Sequence, residues 1–469
     1  IAVFLLLAAP VVAHVLTSRL TPVIALPFAA FLLLIAAAPM NLGEGVTSLS
    51  FAMFYNRLGW VLLATLVVMA LPPKRPAPRQ LWPDVLSAAF LVGAMLYLKI
   101  SYGLVGLAFL AILLIAPGQR ALAALSLIVT AAAILVVEAM WGSSAAHLAD
   151  IALAGQVSGG LRSLEDLTAA LLRHLGDYAL FALVAGLAVR RTRSMRDVVV
   201  YAFCAASGLA LLLQNSQPWG IVTLQAGAVV AAETLMRSAQ AQPVREAMQR
   251  GGTGSARSHR SLSSVSRAAA PLLVLGLLLP TIVHCALGLA LHAGLAVAEV
   301  GRSFGLRQFE RISLPRLWIA ADHDFFSRYL ASIEDGAHAL SRLPSPSHVF
   351  VLDFANPFSA GLNFAPPRGD TSWLHWGRNL DGVHFLAPET LLCDVRIVMQ
   401  PKWGINVVPL QGLYGAYIAA HFDVVAETRD WTVHLARRGS APDGPDRRAA
   451  QSAAAARSGE SAGAAVAVP

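Results

Sequence analysis

In roughly the first 298 residues, apolar positions fall in long unbroken blocks: approximately 1–16, 22–39, 51–71, 84–100, 103–117, 121–140, 178–190, 197–213, 219–236 and 270–298. Blocks of this length and purity predict membrane-crossing helices, since one span takes ~20 apolar residues. Open strands in lipid would leave backbone N–H and C=O groups without partners, and no barrel-like alternation is present. All of the blocks, about ten spans, are therefore read as helices.

After about Glu299 the pattern changes. Leu330, Ile333, Ala337 and Leu340 recur at helical spacing, whereas 349–352 and 395–399 read as strands. Leu410, Leu413, Tyr414, Tyr417, Ile418 and Phe422 mark one face of a further helix. Residues 423–427 and 431–435 predict a hairpin around Thr428-Arg429-Asp430. The expected fold class is mainly α: a polytopic transmembrane helix bundle over 1–298, then a small exoplasmic α/β domain over 299–438. The tail, 439–469, is Ala, Ser, Gly, Asp and Arg with almost no large apolar residue, and it is expected to stay disordered.

Composition agrees with a membrane chain. Apolar residues make up 56% and charged residues 13%, and the mean hydropathy is +0.61. A soluble domain carries about 25% charged residues. The net charge of +8 does not imply nucleic acid, because the excess Arg and Lys sit mostly in short loops between apolar blocks. One set of alternate loops holds Arg19, then Lys74, Arg75 and Arg79, then Arg120, then Arg190, Arg191, Arg193 and Arg196. It closes with Arg237, Arg245, Arg250, Arg257, Arg260 and Arg267. The other set holds only Arg57, Lys99, Arg162 and Arg173, set against Glu44, Asp150, Glu165, Asp166 and Asp177. The positive-inside rule makes the first set cytoplasmic and puts the C-terminal domain outside. In a bacterium this means a multi-pass protein of the inner (cytoplasmic) membrane with a periplasmic C-terminal domain.

Residues 238–269, rich in Gly, Ser, Gln and Arg, read as a disordered cytoplasmic linker with a possible affinity for anionic headgroups. The chain opens on Ile1 inside an apolar run without a basic leader, so its N-terminus is expected to be truncated. Cys204 and Cys285 lie in apolar blocks, and Cys393 is the single cysteine of the soluble part, so no disulfide is expected within that domain.

Polar groups gather where spans reach the outer surface. The 40–57 loop carries Asn41, Glu44, Tyr55, Asn56 and Arg57; the next outer turn carries Lys99, Ser101 and Tyr102; another holds Gln214, Asn215, Ser216 and Gln217. Ionisable groups near spans are costly and so point to function, against the plainer reading of snorkelling cations and belt aromatics. In the 141–177 loop, Leu161, Leu164, Leu167, Leu171 and Leu175 predict an amphipathic helix at the outer interface, with Ser163 and Asp166 as its capping box. Asp322-His323-Asp324, His375 and His384 are the densest possible metal ligands, but their spacing matches no standard motif. Asp353 and Asn356-Pro357 follow a strand, where binding residues often sit, although Asn-Pro is also ordinary turn chemistry.

The stretches Phe54-Tyr55-Asn56-Arg57-Leu58-Gly59-Trp60, Lys99-Ile100-Ser101-Tyr102 and Gln214-Asn215-Ser216-Gln217 resemble uncharacterised bacterial membrane proteins similar to GT-C class glycosyltransferases. So do Leu352-Asp353-Phe354-Ala355-Asn356-Pro357-Phe358 and Val398-Met399-Gln400-Pro401-Lys402. The resemblance covers most of the chain in layout. It implies a multi-helix membrane domain with an exoplasmic active site, a polyprenyl-phosphate sugar donor, and an acidic residue in the first exoplasmic loop as base or as ligand of a divalent metal. That loop would precede Ile1, which leaves Glu44 as a substitute candidate for the catalytic acid. Arg57 and Lys99 would then hold the donor phosphate, and Tyr55, Asn56, Tyr102, Gln214 and Asn215 would bond sugar hydroxyls. The partners implied are the lipid bilayer and a lipid-linked sugar. A transporter or flippase of a lipid-linked or small polar solute is one alternative, and a non-catalytic envelope assembly protein is another.

Overall fold

A computed structural model describes residues 2–48, 54–75, 78–142, 144–158, 163–214, 217, 219–249, 260–314, 320–369 and 374–437. In chain order the helices of the first part are α1 (Ala2–Arg19), α2 (Pro22–Ala37), α3 (Phe54–Val68), α4 (Leu81–Leu98), α5 (Ile100–Ile115) and α6 (Arg120–Trp141). They continue with α7 (Ser144–Ser158), α8 (Leu164–Arg173), α9 (Leu175–Thr192), α10 (Met195–Gln214), α11 (Val222–Gln249) and α12 (Arg260–Val297). The last part holds β1 (Arg302–Ser303), β2 (Ser313–Leu314), α13 (Ala320–Ser341), β3 (Val349–Val351), α14 (Pro357–Gly361) and α15 (Pro388–Leu391). It ends with β4 (Ile397–Pro401), α16 (Val407–His421), β5 (Phe422–Glu427) and β6 (Trp431–Ala436). The chain divides into two units, one of Ile1–Ser143 with Arg162–Gly294 and one of Ser144–Leu161 with Leu295–Pro469.

The first unit is a helix bundle built around α3. This helix packs against α1, α2, α4, α5 and α11, and every residue from Asn56 to Val68 is buried. A helix apolar all round has no face for solvent, so it takes the centre. The outer helices present apolar side chains outward instead. On α12, Leu272, Leu275, Leu279, Val283 and Leu287 are exposed along one face, and on α6 so are Ile128, Leu135, Val136, Met140 and Trp141. Such surfaces are a liability in water and cost nothing in lipid.

Each apolar block forms one helix, but span length is another matter. Among the described residues four helices are long and apolar enough to cross a membrane: α4, α6, α10 and 269–297 of α12. The bent pair α8 and α9, at 72°, would make a fifth if counted as one span. The ten spans expected from the blocks are thus not reproduced by length. Central α3, of 15 residues, covers about 22 Å at ~1.5 Å per residue, short of a ~30 Å core. Several apolar helices nevertheless make the chain consistent with a multi-pass membrane protein.

Helix α8 has the expected cap: Ser163 Oγ accepts from Asp166 N at 3.0 Å, and Asp166 Oδ2 accepts from Ser163 N at 3.2 Å. Helical backbone runs through Gln249 and resumes at Arg260, so both ends of the stretch expected as a disordered linker are helical. An existing helix extends cheaply, since each added residue gains a bond without new nucleation. Residues 250–259 and the tail from 439 lie outside the described residues.

The second unit centres on a four-stranded sheet in the order β3-β4-β6-β5, with β3 and β4 parallel and the remaining pairs antiparallel. Strand alternation sends Phe350, Leu352 and Val398 to one face, where they meet Leu410, Tyr414 and Ile418 of α16. Val349, Val351, Ile397, Met399 and Val433 line the other face with Ile333 and Leu340 of α13. Helices therefore cover both faces, which explains why β3 reads as an unbroken apolar run. The hairpin lies as expected, whereas β4 starts at Ile397, two residues later than the apolar run beginning at Val395.

Candidate functional site

Two clusters of charged and polar side chains stand out in the helix bundle, one around Arg57 and Lys99 and one around Arg19 and Asp84. At the first, the turn after α2 meets the start of α3. Glu44 accepts from the Asn41 backbone N–H at 3.2 Å and from Asn41 Nδ2 at 2.9 Å. Arg57, 3% exposed, donates from Nη1 to Met40 O at 2.9 Å and to Asn41 Oδ1 at 3.4 Å. Lys99 stands where α4 stops and α5 starts. Its Nζ donates to Asn56 Oδ1 at 3.0 Å and lies 5.4 Å from the centre of the Tyr55 ring.

Aromatic packing fixes the same end. Trp60 Nε1 donates to Gln217 Oε1 at 2.9 Å, and Gln217 Nε2 donates to Trp219 O at 2.7 Å and Gly220 O at 2.9 Å. The Tyr102 ring meets Trp60 edge-on at 5.3 Å and covers Gly59, where a Cβ would come within 2.8 Å of it. Only glycine lets α3 and α5 approach this closely. Of the residues expected at the site, Glu44, Tyr55, Asn56, Arg57, Lys99 and Tyr102 come together here. Gln214 is exposed at the end of α10, and Asn215 lies outside the described residues. Gln217, rather than Gln214, ties the second polar turn to α3.

The opposite end is a lock of buried charge. Arg19, fully buried, pairs through Nη2 with Asp84 Oδ2 at 2.7 Å, and His14 Nε2 lies 2.9 Å from Asp84 Oδ1. Glu233, also fully buried, accepts from Thr21 N at 2.8 Å and from Arg237 Nε at 2.9 Å. Lys74 Nζ and Arg19 Nε close the neighbouring turns on Leu20 O and Leu71 O. Arg19, Lys74 and Arg237 of the first loop set thus meet in this cluster, and Arg57 and Lys99 of the second meet in the other.

The second unit holds a cavity of about 600 Å3 beside the carboxyl ends of the parallel strands β3 and β4. Tyr329, Phe354, Trp403 and Trp431 contribute aromatic walls, and Asp353, Asn406 and Ser332 contribute polar groups. The residues after parallel strand ends diverge into loops and leave a crevice, the usual ligand position in α/β sheets. Asn406, fully buried, donates from Nδ2 to Asp353 Oδ1 at 3.2 Å and to Leu374 O at 3.0 Å, and its Oδ1 accepts from Trp376 N at 3.2 Å. Gly404, at φ +130°, allows the loop after β4 to turn beside the Asp353 carboxylate. On the cavity rim the Arg328 guanidinium lies 4.5 Å from the Trp403 ring centre.

Burial pushes the Asp353 carboxyl above its usual range, and bonds from the Phe354 N–H and from Asn406 partly oppose this. The native state thus keeps a proton that the unfolded chain has already released. Stability should fall as pH rises from the ordinary aspartate range through the raised value. In Asp353→Asn this contribution to the slope disappears, which denaturation midpoints measured against pH would show; an unaltered slope would refute the assignment.

Among the described residues no three His, Cys, Asp or Glu side chains form a metal-ligating group. Among the described residues Glu44 is the single carboxylate of its cluster, and it is engaged by Asn41, so the donor set does not fit the divalent metal that the resemblance implies. His384 Nδ1 faces Asp381 at 3.2 Å, and His375 packs edge-on against Phe354 at 5.2 Å, while the side chains of Asp322, His323 and Asp324 lie outside the described residues. Asn356 is a helix cap: its Oδ1 accepts from Phe358 N at 3.1 Å and Ser359 N at 3.2 Å. No protein-family model, curated protein or solved structure matches the chain.

Sequence reasoning reached Asp353 through its place after a strand but missed Trp403 and Asn406. The same rule applied after β4 would have found them, since both follow Pro401 at that strand's end.

Proposed function

We propose that this protein is a membrane-embedded glycosyltransferase of GT-C type. It would move a sugar from a polyprenyl-phosphate donor to an envelope acceptor at the outer face of the bacterial inner membrane. The observation that supports this reading is the gathering of Glu44, Arg57, Lys99, Asn56 and Tyr55 at one end of the bundle. Within that cluster Arg57 and Lys99 outnumber Glu44, so the local charge favours an anionic group such as a phosphate. Glu44 is the group able to take a proton from an acceptor hydroxyl. In this reading the shorter apolar helices complete a bundle of about ten spans, and the alternation of basic loops places the Glu44 end and the C-terminal domain in the periplasm.

The test is sugar transfer by the full chain in proteoliposomes, with a radiolabelled polyprenyl-phosphate sugar as donor. Lys99→Ala and Glu44→Gln should each lower transfer at least ten-fold. Undiminished transfer in Lys99→Ala, or no donor binding by the unmodified chain, would set the reading aside. In the second case, movement of the lipid-linked sugar across the bilayer without transfer would favour the flippase alternative.

A further inference from the structure

We infer that the cavity beside the carboxyl ends of β3 and β4 binds a small organic amine, with the Asp353 carboxylate facing the ammonium group and the aromatic walls taking the apolar body. This inference is independent of the proposed transferase activity, whose residues lie in the other unit.

The lining itself points to a small organic molecule. A cavity of about 600 Å3 walled by Tyr329, Phe354, Trp403 and Trp431 has the size and apolar character of a small-molecule site. The Asp353 carboxylate stands at the strand ends, where ligands of parallel sheets usually sit. Aromatic faces attract cations through the ring quadrupole, and a carboxylate removed from bulk water gains more from an ammonium than one in solvent. The Trp403 ring already accepts a cation, the Arg328 guanidinium.

Among the described residues of the lining, Asn406, Ser332 and Trp431 already have protein partners. A sugar needs a partner for most of its hydroxyls. Here the Asn406 amide is taken up by Asp353, Leu374 and Trp376, and the Trp431 indole N–H donates to Ser332 O at 2.7 Å. Asn406 is therefore a positioning residue that holds the carboxylate in place. A charged acceptor within aromatic walls favours a compact amine over a polyhydroxylated ring.

The charge on Asp353 should govern affinity. Burial, and after it the Asp353 charge, push the phenol of Tyr329 on α13 up. Arg328 on the same helix is a permanent cation over Trp403. Amine binding should weaken as pH falls through the raised Asp353 value, because the protonated carboxyl no longer attracts an ammonium.

The test uses the full chain in detergent, with benzylamine and its neutral isostere benzyl alcohol as probes. Backbone hydrogen exchange at 353–354 and 403–406 provides a local readout. Benzylamine should protect these amides at concentrations at least ten-fold below those needed with benzyl alcohol. In Asp353→Asn the ratio should fall to about one. Lowering the pH on the unmodified chain should produce the same fall, and this arm decides the question if the variant does not fold. Equal protection by the two probes, no protection by either, or a ratio unaffected by both the substitution and pH would overturn the proposal.

Discussion

Asp84→Ala should lower the unfolding free energy of the detergent-solubilised chain by about 3–5 kcal/mol, the usual cost of removing one partner from a buried ion pair. The magnitude follows from what remains. Arg19 is fully buried, its Nη2 lies 2.7 Å from Asp84 Oδ2, and its Nη1 donates to Asp84 Oδ1 at 3.0 Å. Alanine leaves that guanidinium with Leu71 O and Ser18 Oγ as its hydrogen-bond acceptors and no counter-charge in direct contact. His14 and Gln80 lose their acceptor as well. The double variant Arg19→Met/Asp84→Leu removes both charges and fills the space, so it should recover most of the loss. Urea or thermal unfolding of the three variants measures this. If the single and double variants are equally destabilised, stranded charge is not the cause.

Asn406→Leu is expected to cost the second unit about 3 kcal/mol or more, because its truncation leaves several buried groups without partners at ~1–3 kcal/mol each. The Asn406 amide serves Asp353 Oδ1, Leu374 O and the Trp376 N–H together, and an apolar side chain of similar size offers none of them a partner. The effect should be local before it is global. Hydrogen exchange at Trp376 should accelerate strongly, while β5 and β6, which pair with each other away from this loop, keep most of their protection. Uniform loss across the sheet would show that Asn406 supports the whole core and not one loop. The Asp353 carboxyl should also move further up, since it loses a bond that favours its charged form.

Much of the candidate site was legible because of where polar residues interrupt apolar blocks. Glu44, Tyr55, Asn56, Arg57, Lys99 and Tyr102 stand at block ends assigned to one side of the bundle, where chain ends of neighbouring helices can meet. Gln214 shows the limit. It lies near the right turn but at the exposed end of α10, whereas Gln217 reaches Trp60. Which of two glutamines three positions apart turns inward depends on where α10 stops and how the turn closes, and block ends are uncertain by more than that. The cavity of the second unit was hidden for a different reason. Asp353 and Asn406 are 53 positions apart, and only the parallel pairing of β3 with β4 brings the loops after them side by side.

Sequence alone determined the helical character of the apolar blocks, the α/β pattern of the C-terminal part and the sorting of charged loops into two sets. These are local or periodic properties, set by hydropathy over a few turns of helix or a few residues of strand. Tertiary structure decided which helix is central, how α3 can be short yet fully enclosed, and which polar groups satisfy one another at each end. It also decided that the Asp353 carboxylate and four aromatic rings share one cavity. Those outcomes rest on contacts between residues far apart in the chain, and hydropathy carries no information about which distant partner a buried group will find.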